Sequence, residues 1–341
     1  MASETELIER VRRRFPTAGR GLRVGIGDDA AVLRPNPNKD WVITTDSFLE
    51  NVHFLRKVHP PEAAGYKALA RATSDIAAMG ARGRFFFVTV GLPEGLAGRW
   101  LDAFLKGMSR AARRFGLALA GGDTTNYPSL VASFTVLGEC GRGQAILRSG
   151  ARPGDLLCVS GRLGEAELGW RLIGGSSSGK KLTRGANHLY KRLLNKHLRP
   201  EPRLEVGQWL ASRRLATAMI DTSDGLSTDL GHICKASGVG AVVWAAKIPV
   251  VRVPAGLQKA GFDAIDLALN GGEDYELLFT ISRKNASRLP SPIGGVPLTV
   301  IGEITRPTKI RVVDSNGKSR PLRPGGWEPF RDGKGRRGKS A

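Results

Sequence analysis

The chain has 341 residues, 41% of them hydrophobic, and its 52 Lys and Arg against 31 Asp and Glu give a net charge of +21. This length allows two domains, and the hydrophobic content is that of a globular protein. The longest apolar stretch, residues 85–92, is too short to span a bilayer, and residues 1–15 lack the apolar core of a signal peptide. Three well-separated cysteines (Cys140, Cys158 and Cys234) lie in apolar runs, so we expect reduced core thiols in a cytoplasmic protein.

Predicted strands and helices alternate along the chain. Apolar runs predict strands at residues 41–45, 85–92, 130–139, 156–160, 217–221, 241–245, 276–281 and 298–303. Helical periodicity predicts helices at 62–79, 97–115, 164–173, 188–198, 203–212, 226–237 and 264–270. Gly, Arg and Pro cluster at 141–154. We therefore expect an N-terminal α/β domain at 1–140, a C-terminal α/β domain at 141–331 and a disordered basic tail at 332–341.

Five short acidic motifs, each set among Gly, Ser or Thr, stand out in this basic chain. They are Gly27-Asp28-Asp29, Thr44-Thr45-Asp46, Ser74-Asp75, Gly121-Gly122-Asp123-Thr124-Thr125 and Asp221-Thr222-Ser223-Asp224-Gly225. Carboxylates and hydroxyls are the hard oxygen ligands that Mg²⁺ prefers, and glycine lets backbone N–H groups approach phosphate closely. The pattern therefore indicates phosphate chemistry supported by several metal ions.

Purely structural roles compete with this interpretation at single positions. On its predicted helix Asp75 shares a face with Ala72 and Met79, where a lone aspartate would reach water at the rim of the apolar face. Asp221 and Asp224 lie between a strand and a helix, where a lone aspartate is typically a helix cap. The same position also presents N–H groups to an anion. The recurrence of similar motifs favours metal binding.

Two other features have simpler explanations than a binding site. Residues 174–181 resemble a Walker A loop, but Lys181 stands where Ser or Thr should contact Mg²⁺, and a helix rather than a strand precedes it. We interpret this segment as a flexible Gly/Ser linker. The basic excess, part of which lies in residues 180–203 and in the tail, would attract nucleic acid as well as ATP. No RNA-binding signature with interleaved aromatics accompanies it, which favours general solvated basicity.

Longer motifs in the chain resemble those of the thiamine-monophosphate kinase family. They are residues 25–33 (GIGDDAAVL), 44–46 followed by Val52-His53-Phe54, 68–80, 121–125 (GGDTT), 148–155 (RSGARPGD), 220–226 (IDTSDGL) and 270–277 (NGGEDYEL). Each is modest alone, but the ordered set, over about residues 24–330, is highly specific. The departures are Ser47-Phe48-Leu49 after the aspartate, the Lys/Arg-rich insert and the tail.

The resemblance implies a two-domain α/β protein of the aminoimidazole-ribonucleotide synthetase type, whose N-terminal sheets form the barrel-like core of a homodimer. It implies transfer of the γ-phosphoryl group of ATP to thiamine monophosphate, assisted by several Mg²⁺ ions, to give thiamine diphosphate. The implied metal ligands are Asp29, Thr44, Thr45, Asp46, Asp75, Asp123, Asp221 and Asp224. The implied ATP contacts are Gly122, Asp123, Arg148 and Ser223. The implied substrate contacts are His53, Glu273, Trp327 and Phe330.

The implied acceptor explains why no general base stands out. A phosphate monoester has a second pKa of about 6 and is largely deprotonated at neutral pH. The site then has to neutralise charge between two anions, which Mg²⁺ and Arg148 would do. Without the resemblance, His53 is a loop histidine, and Glu273 is equally well a turn residue after Gly271-Gly272.

Two alternatives stay open. One is a sibling ATP-dependent synthetase of the same fold acting on another acceptor; a selenophosphate synthetase is disfavoured because no cysteine precedes Cys140. The other is a basic RNA-binding protein that keeps an enzyme fold, with affinity that falls steeply with salt.

Overall fold

The computed structural model describes residues 4–15, 21–24, 26, 30–175 and 187–328. Asp29, Phe330, the tail at 332–341 and most of the predicted linker therefore lie outside the described residues. Contacts divide the chain into two units. The N-terminal unit comprises Met1–Ile76 and Ala81–Ala145, and the C-terminal unit comprises Ala77–Gly80 and Ile146–Ala341. In the part of the chain that is described, no helix is long and apolar enough to cross a membrane.

The N-terminal unit is built on a four-stranded sheet. Its elements are α1 (Glu4–Arg14), β1 (Leu22–Val24), β2 (Val32–Leu33), β3 (Lys39–Leu49), α2 (Pro61–Ala78), β4 (Arg82–Leu92), α3 (Arg99–Phe115), β5 (Ala118–Asn126) and β6 (Val131–Gly141). The strand order is β3-β6-β4-β5, antiparallel except for the parallel pair β4–β5, and β1 and β2 form a separate ribbon.

Helices α2 and α3 approach each other at backbone distance. A Cβ on Gly65 would stand 1.9 Å from the carbonyl oxygen of Phe104, and one on Gly107 would stand 1.8 Å from that of Glu62. Only glycine fits at such a crossing. The alanine-rich face of α2 is fully buried there, which holds the half-buried Asp75 at a defined place on a rigid helix.

The C-terminal unit contains a seven-stranded sheet of order β13-β12-β9-β11-β7-β10-β8, antiparallel except for the pair β12–β9. Its strands are β7 (Leu156–Ser160), β8 (Ala216–Asp221), β9 (Gly240–Trp244), β10 (Leu277–Ile281), β11 (Leu298–Thr305), β12 (Ile310–Val313) and β13 (Ser319–Pro321). Its helices are α4 (Glu165–Gly175), α5 (Asn187–Leu198), α6 (Leu204–Ser212), α7 (Leu226–Ser237), α8 (Ala255–Lys259) and α9 (Ala264–Asn270).

Central strand β10 is covered on both faces. Leu278 belongs to one buried cluster, whereas Leu277 and Phe279 belong to another. Successive side chains point to opposite faces of a strand, so this continuous apolar run fills two cores. Strands β8 and β10 are antiparallel neighbours in this sheet. The segment 222–225, which follows β8, and the segment 271–276, which precedes β10, therefore lie at the same end of the two strands.

Each predicted strand and helix is present, with ends shifted by a few residues. The first predicted strand is longer than expected and carries Asp46 within β3. The strands β1, β2, β5, β12 and β13 and the helices α1 and α8 were not predicted. The most consequential of these is β5, which contains the whole Gly121–Thr125 motif. Gly, Asp and Asn are depleted in strands, and β5 pairs only with β4 in the sheet. The three cysteines are buried and unbridged, as expected.

Candidate functional site

The first candidate cluster of the N-terminal unit joins β3 to α2. The hydroxyl of Thr44 donates to Oδ2 of Asp75 at 2.5 Å, and both residues are half-buried. Two residues along β3, the Asp46 carboxylate lies 3.5 Å from Arg71, which precedes Asp75 by one turn of α2. The Arg71 guanidinium also lies 6.0 Å from the Phe48 ring centre. The structure thus brings together three predicted ligand residues and adds a cation that the sequence reading did not single out.

The alternation of β3 separates Thr45 from this cluster. Its hydroxyl lies 3.3 Å from that of Thr135 on β6, on the exposed face of the sheet. Strand register places Asp123 on the same exposed face, opposite Thr89 of β4. The Asp123 carboxylate accepts the backbone N–H of Thr124 at 2.8 Å. The predicted N-terminal ligands are therefore divided between two faces of one sheet.

Packing between two strands requires glycine at position 122, independently of any ligand. A Cβ at this position would stand 2.0 Å from the carbonyl oxygen of Val88 on the neighbouring strand. The parallel pair β4–β5 would have to separate to admit any side chain. Gly122 therefore sets the position of Asp123 through the strand backbone.

His53 lies in the loop after β3 and is half-buried. Its Nδ1 accepts the backbone N–H of Leu49 at 2.9 Å, and its ring stacks on Phe48 with centroids 6.1 Å apart. Phe48 in turn stacks on Phe54 at 4.8 Å. The accepted hydrogen bond fixes the neutral ring as the Nε2–H tautomer. His53 is thus a fixed, oriented ring, which suits binding.

The C-terminal unit gathers five predicted residues at one turn. Asp221 ends β8 with 4% of its surface exposed, and residues 222–225 lead into α7. The backbone carbonyl of Ser223 accepts the N–H of Glu273 at 2.9 Å, and that of Asp224 accepts the N–H of Trp327 at 3.1 Å. Predicted metal, nucleotide and acceptor contacts therefore meet at the N-terminus of α7.

Asp229 is a member of this site that sequence reasoning missed. Only 1% of it is exposed, and its carboxylate accepts the N–H groups of Gly225 at 3.0 Å and Asp224 at 3.3 Å. Burial, followed by the charges of Asp224 and Asp221, raises the pKa of Asp229 well above its ordinary value. One ligand atom each from Asp224, Asp229 and His232 lie within 4.8 Å of one another. The signal in the sequence was helical spacing, because Asp229 lies about one helical turn after Asp224-Gly225.

Arg148 lies at the other end of α7. It is exposed, and its carbonyl accepts the hydroxyl of Ser237, the last residue of that helix, at 3.3 Å. The helix has 12 residues, so its ends are about 18 Å apart at 1.5 Å per residue. Within the C-terminal unit, Arg148 is therefore not brought to Ser223, although both were predicted to contact ATP.

Similarity to known proteins covers nearly the whole chain. The family model for AIR synthase related protein, N-terminal domain, matches residues 27–140, and that for the C-terminal domain matches residues 152–315. The thiamine-monophosphate kinase of Salmonella typhimurium is 39% identical over 304 residues, 89% of this chain and 90% of that protein. The crystal structure of the same enzyme from Stenotrophomonas maltophilia is 38% identical, with a TM-score of 0.78, and the match covers 93% of this chain and 98% of that one. AaThiL complexed with AMPPCP and TMP is 31% identical with a TM-score of 0.75, over 96% and 97% of the two chains.

Proposed function

Because the chain belongs to the thiamine-monophosphate kinase family, we propose that it transfers the γ-phosphoryl group of ATP directly to the phosphate of thiamine monophosphate. The observation that carries this proposal is the turn at 222–225, whose backbone is hydrogen-bonded both to Glu273 and to Trp327. The residues proposed to bind the nucleotide and those proposed to bind the acceptor are therefore held by the same turn. The relative AaThiL binds AMPPCP, an ATP analogue, together with TMP, which supports the same pair of substrates here.

The donor atoms of the candidate clusters fit Mg²⁺, because they are carboxylate and hydroxyl oxygens with few competing soft ligands. When bound, Mg²⁺ would neutralise phosphate charge. We assign this role to Thr44, Asp46 and Asp75 in the N-terminal unit and to Asp221 and Asp224 in the C-terminal unit. Asp29, Thr45 and Asp123 complete the set proposed from the family pattern. The side chain of Thr45 faces away from Asp75, so its contribution would come from its backbone carbonyl.

The remaining residues would bind and orient the two substrates. Gly122 and Ser223 offer backbone contacts to ATP, and Arg148 offers a bidentate cation to a phosphate group. His53, Glu273, Trp327 and Phe330 are proposed to hold thiamine monophosphate, with the Glu273 carboxylate facing the cationic thiazolium ring. The acceptor phosphate is already largely ionised at neutral pH, so in-line transfer needs no general base.

We further propose that two copies pair through their N-terminal sheets to form a barrel-like dimer core. Ile43 on β3 is 63% exposed, and its neighbours Thr45 and Ser47 on that strand are also exposed. An apolar residue this exposed in a regular strand fits a face that a second copy covers. Sedimentation of Ile43→Lys should show a monomer, whereas an unchanged dimer would refute this interface.

The buried thiols fit the proposed cytoplasmic location.

The decisive experiment offers the purified chain ATP, Mg²⁺ and one acceptor at a time. Thiamine monophosphate should give thiamine diphosphate, whereas thiamine should remain unphosphorylated because its hydroxyl needs a base. Efficient phosphorylation of thiamine would refute the mechanism. Turnover with an aminoimidazole-type acceptor would support the sibling synthetase, and salt-sensitive RNA binding without turnover would support the RNA-binding alternative.

Asp75→Asn tests the metal assignment in the same assay. Turnover should be nearly abolished while the protein stays folded, because the amide is a weaker Mg²⁺ ligand. Glu62→Gln is the matched control: it lies on the same helix, where its carboxylate is 3.4 Å from Lys106. Activity of Asp75→Asn close to that of the control would remove Asp75 from the metal site.

A further inference from the structure

The loop at 271–276 holds an unusual backbone conformation. Glu273 and Tyr275 have φ values of 68° and 51°, in the left-handed region that non-glycine residues rarely adopt. Their N–H groups donate to the carbonyls of Ser223 and Thr222, both at 2.9 Å. Such a conformation persists only where the surroundings determine it strongly. The shape of this loop is therefore enforced by its contacts.

Two buried carboxylates anchor the loop on either side of Tyr275. Asp274, which is 1% exposed, accepts the N–H groups of Gly164 at 2.6 Å and Ala166 at 3.0 Å at the start of α4. Glu276 is fully buried and accepts from Lys196 Nζ at 2.7 Å, Arg203 Nε at 2.6 Å and Ser160 Oγ at 2.7 Å. The loop is thus held by hydrogen bonds from α4, from α5 and from the segment that precedes α6.

His197, which follows Lys196 on α5, contacts the carboxylate of Glu273, the residue proposed to bind the acceptor. His197 is 2% exposed, and its Nδ1 lies 3.3 Å from Oε2 of Glu273. Its ring lies 5.3 Å from that of Trp170 on α4. The two helices touch at Gly169, where a Cβ would stand 2.2 Å from the carbonyl oxygen of Leu193. This close contact leaves the His197 ring little freedom.

We propose that His197 is a positioning residue that orients the Glu273 carboxylate for binding the cationic ring of the acceptor, while Lys196 anchors the loop behind it. The inference rests on the acceptor role proposed for Glu273. A carboxylate held in one orientation loses less conformational freedom when a cation binds to it. Loss of His197 should therefore raise the KM for thiamine monophosphate and leave the KM for ATP and kcat nearly unchanged.

The test uses the full-length enzyme and steady-state kinetics with each substrate varied. His197→Phe keeps a ring against Trp170 and removes the nitrogen that lies 3.3 Å from Glu273, so the KM for thiamine monophosphate should rise about fivefold, the size of one modest polar contact. His197→Asn, whose amide can donate from near the place of Nδ1, should recover most of this loss. His188→Phe is the control, since His188 is exposed at the other end of α5 and should have no effect. If His197→Phe does not fold, His197→Met provides the second apolar variant.

A double variant separates this inference from the function on which it rests. Glu273→Gln should raise the same KM, and His197→Phe combined with Glu273→Gln should raise it no further, because His197 acts through Glu273. If Glu273→Gln raises the KM and His197→Phe does not, the inference fails and the proposed function stands. If Glu273→Gln leaves the KM unchanged, the acceptor role of Glu273 and the inference both fail. Fully additive effects, or equal losses for both substrates, would also overturn the positioning role.

Discussion

The buried ion cluster at Glu276 gives the sharpest stability prediction. Its carboxylate is fully buried and accepts hydrogen bonds from Lys196, Arg203 and Ser160. In Glu276→Gln the amide offers one acceptor oxygen, and its NH₂ group faces donors instead of accepting from them. Two cations, 12% and 19% exposed, would then share a neutral partner. Breaking a buried pair in this way costs about 3–5 kcal/mol, and we expect the C-terminal unit to lose stability on that scale.

The pH dependence has a definite sign. Burial by itself raises the pKa of Glu276, but the charges of Lys196 and Arg203 and their hydrogen bonds outweigh it and hold that pKa below its ordinary value. A carboxyl group with a lowered folded-state pKa stabilises the protein above its unfolded-state pKa, and this contribution is lost as the pH falls through the folded-state pKa. The difference between wild type and Glu276→Gln should therefore be full at pH 7 and shrink below about pH 4.

Urea unfolding followed by tryptophan fluorescence measures this difference. The matched control is Glu303→Gln, the same substitution in a surface pair whose Arg283 and Glu303 side chains are 66% and 36% exposed. The control should lose less than about 1 kcal/mol. If Glu276→Gln is as stable as this control at pH 7, or if their difference grows on acidification, the argument from the buried ion cluster is refuted.

Four further variants test single contacts. Gly122→Ala should destabilise the N-terminal unit by about 1–3 kcal/mol and raise the KM for ATP, because its Cβ would stand 2.0 Å from the carbonyl oxygen of Val88; an unchanged Tm would contradict this. His53→Ala should raise the KM for thiamine monophosphate more than it lowers kcat, and an inactive variant at saturating acceptor would refute the binding role. Burial raises the pKa of Asp274 to about 7, so the contribution of this group to stability should fall as the pH rises from about 4 to 7. Asp274→Asn should lose that slope in urea titrations. Deletion of residues 332–341 should leave turnover unchanged, and a large loss would show that the tail contributes to activity.

Much of the fold could be predicted from the sequence because the decisive signals are local. Residues 277–281 are apolar except for Thr280, and in the structure they form a strand buried on both faces. The positions of Asp221 at a strand end and Asp224 just before a helix were also predicted, since neighbouring residues fix both boundaries. Strand β5 was missed because the composition of residues 121–125 disfavours a strand, whereas pairing with β4 imposes one.

The partners of the site residues could not be predicted in the same way, because they come from distant parts of the chain. Lys196 and His197 contact residues 80 and 76 positions away along the chain, and no periodicity reports such a pairing. Asp229 follows Ser227 and Thr228, so it has the hydroxyl neighbours that mark the other motifs, but its position inside a predicted helix kept it from being singled out. Successive side chains of a strand point to opposite faces of the sheet, so the sequence already implied that Thr44 and Thr45 cannot point to the same face. The structure places them on opposite faces of β3.

The turn at 222–225 is joined by backbone hydrogen bonds to the two segments proposed to bind the acceptor. Its backbone carbonyls accept from the N–H groups of Glu273 and Trp327, so these two contacts do not depend on the side chains at those positions. The loop at 271–276 is also held by the buried carboxylates of Asp274 and Glu276. The turn also ends a strand whose register with β10 is fixed by the core. The side chain of Glu273 can therefore change without displacing the turn. Under the proposed function, we therefore expect acceptor specificity to depend on the side chains attached to the turn, and nucleotide binding to depend on the turn itself.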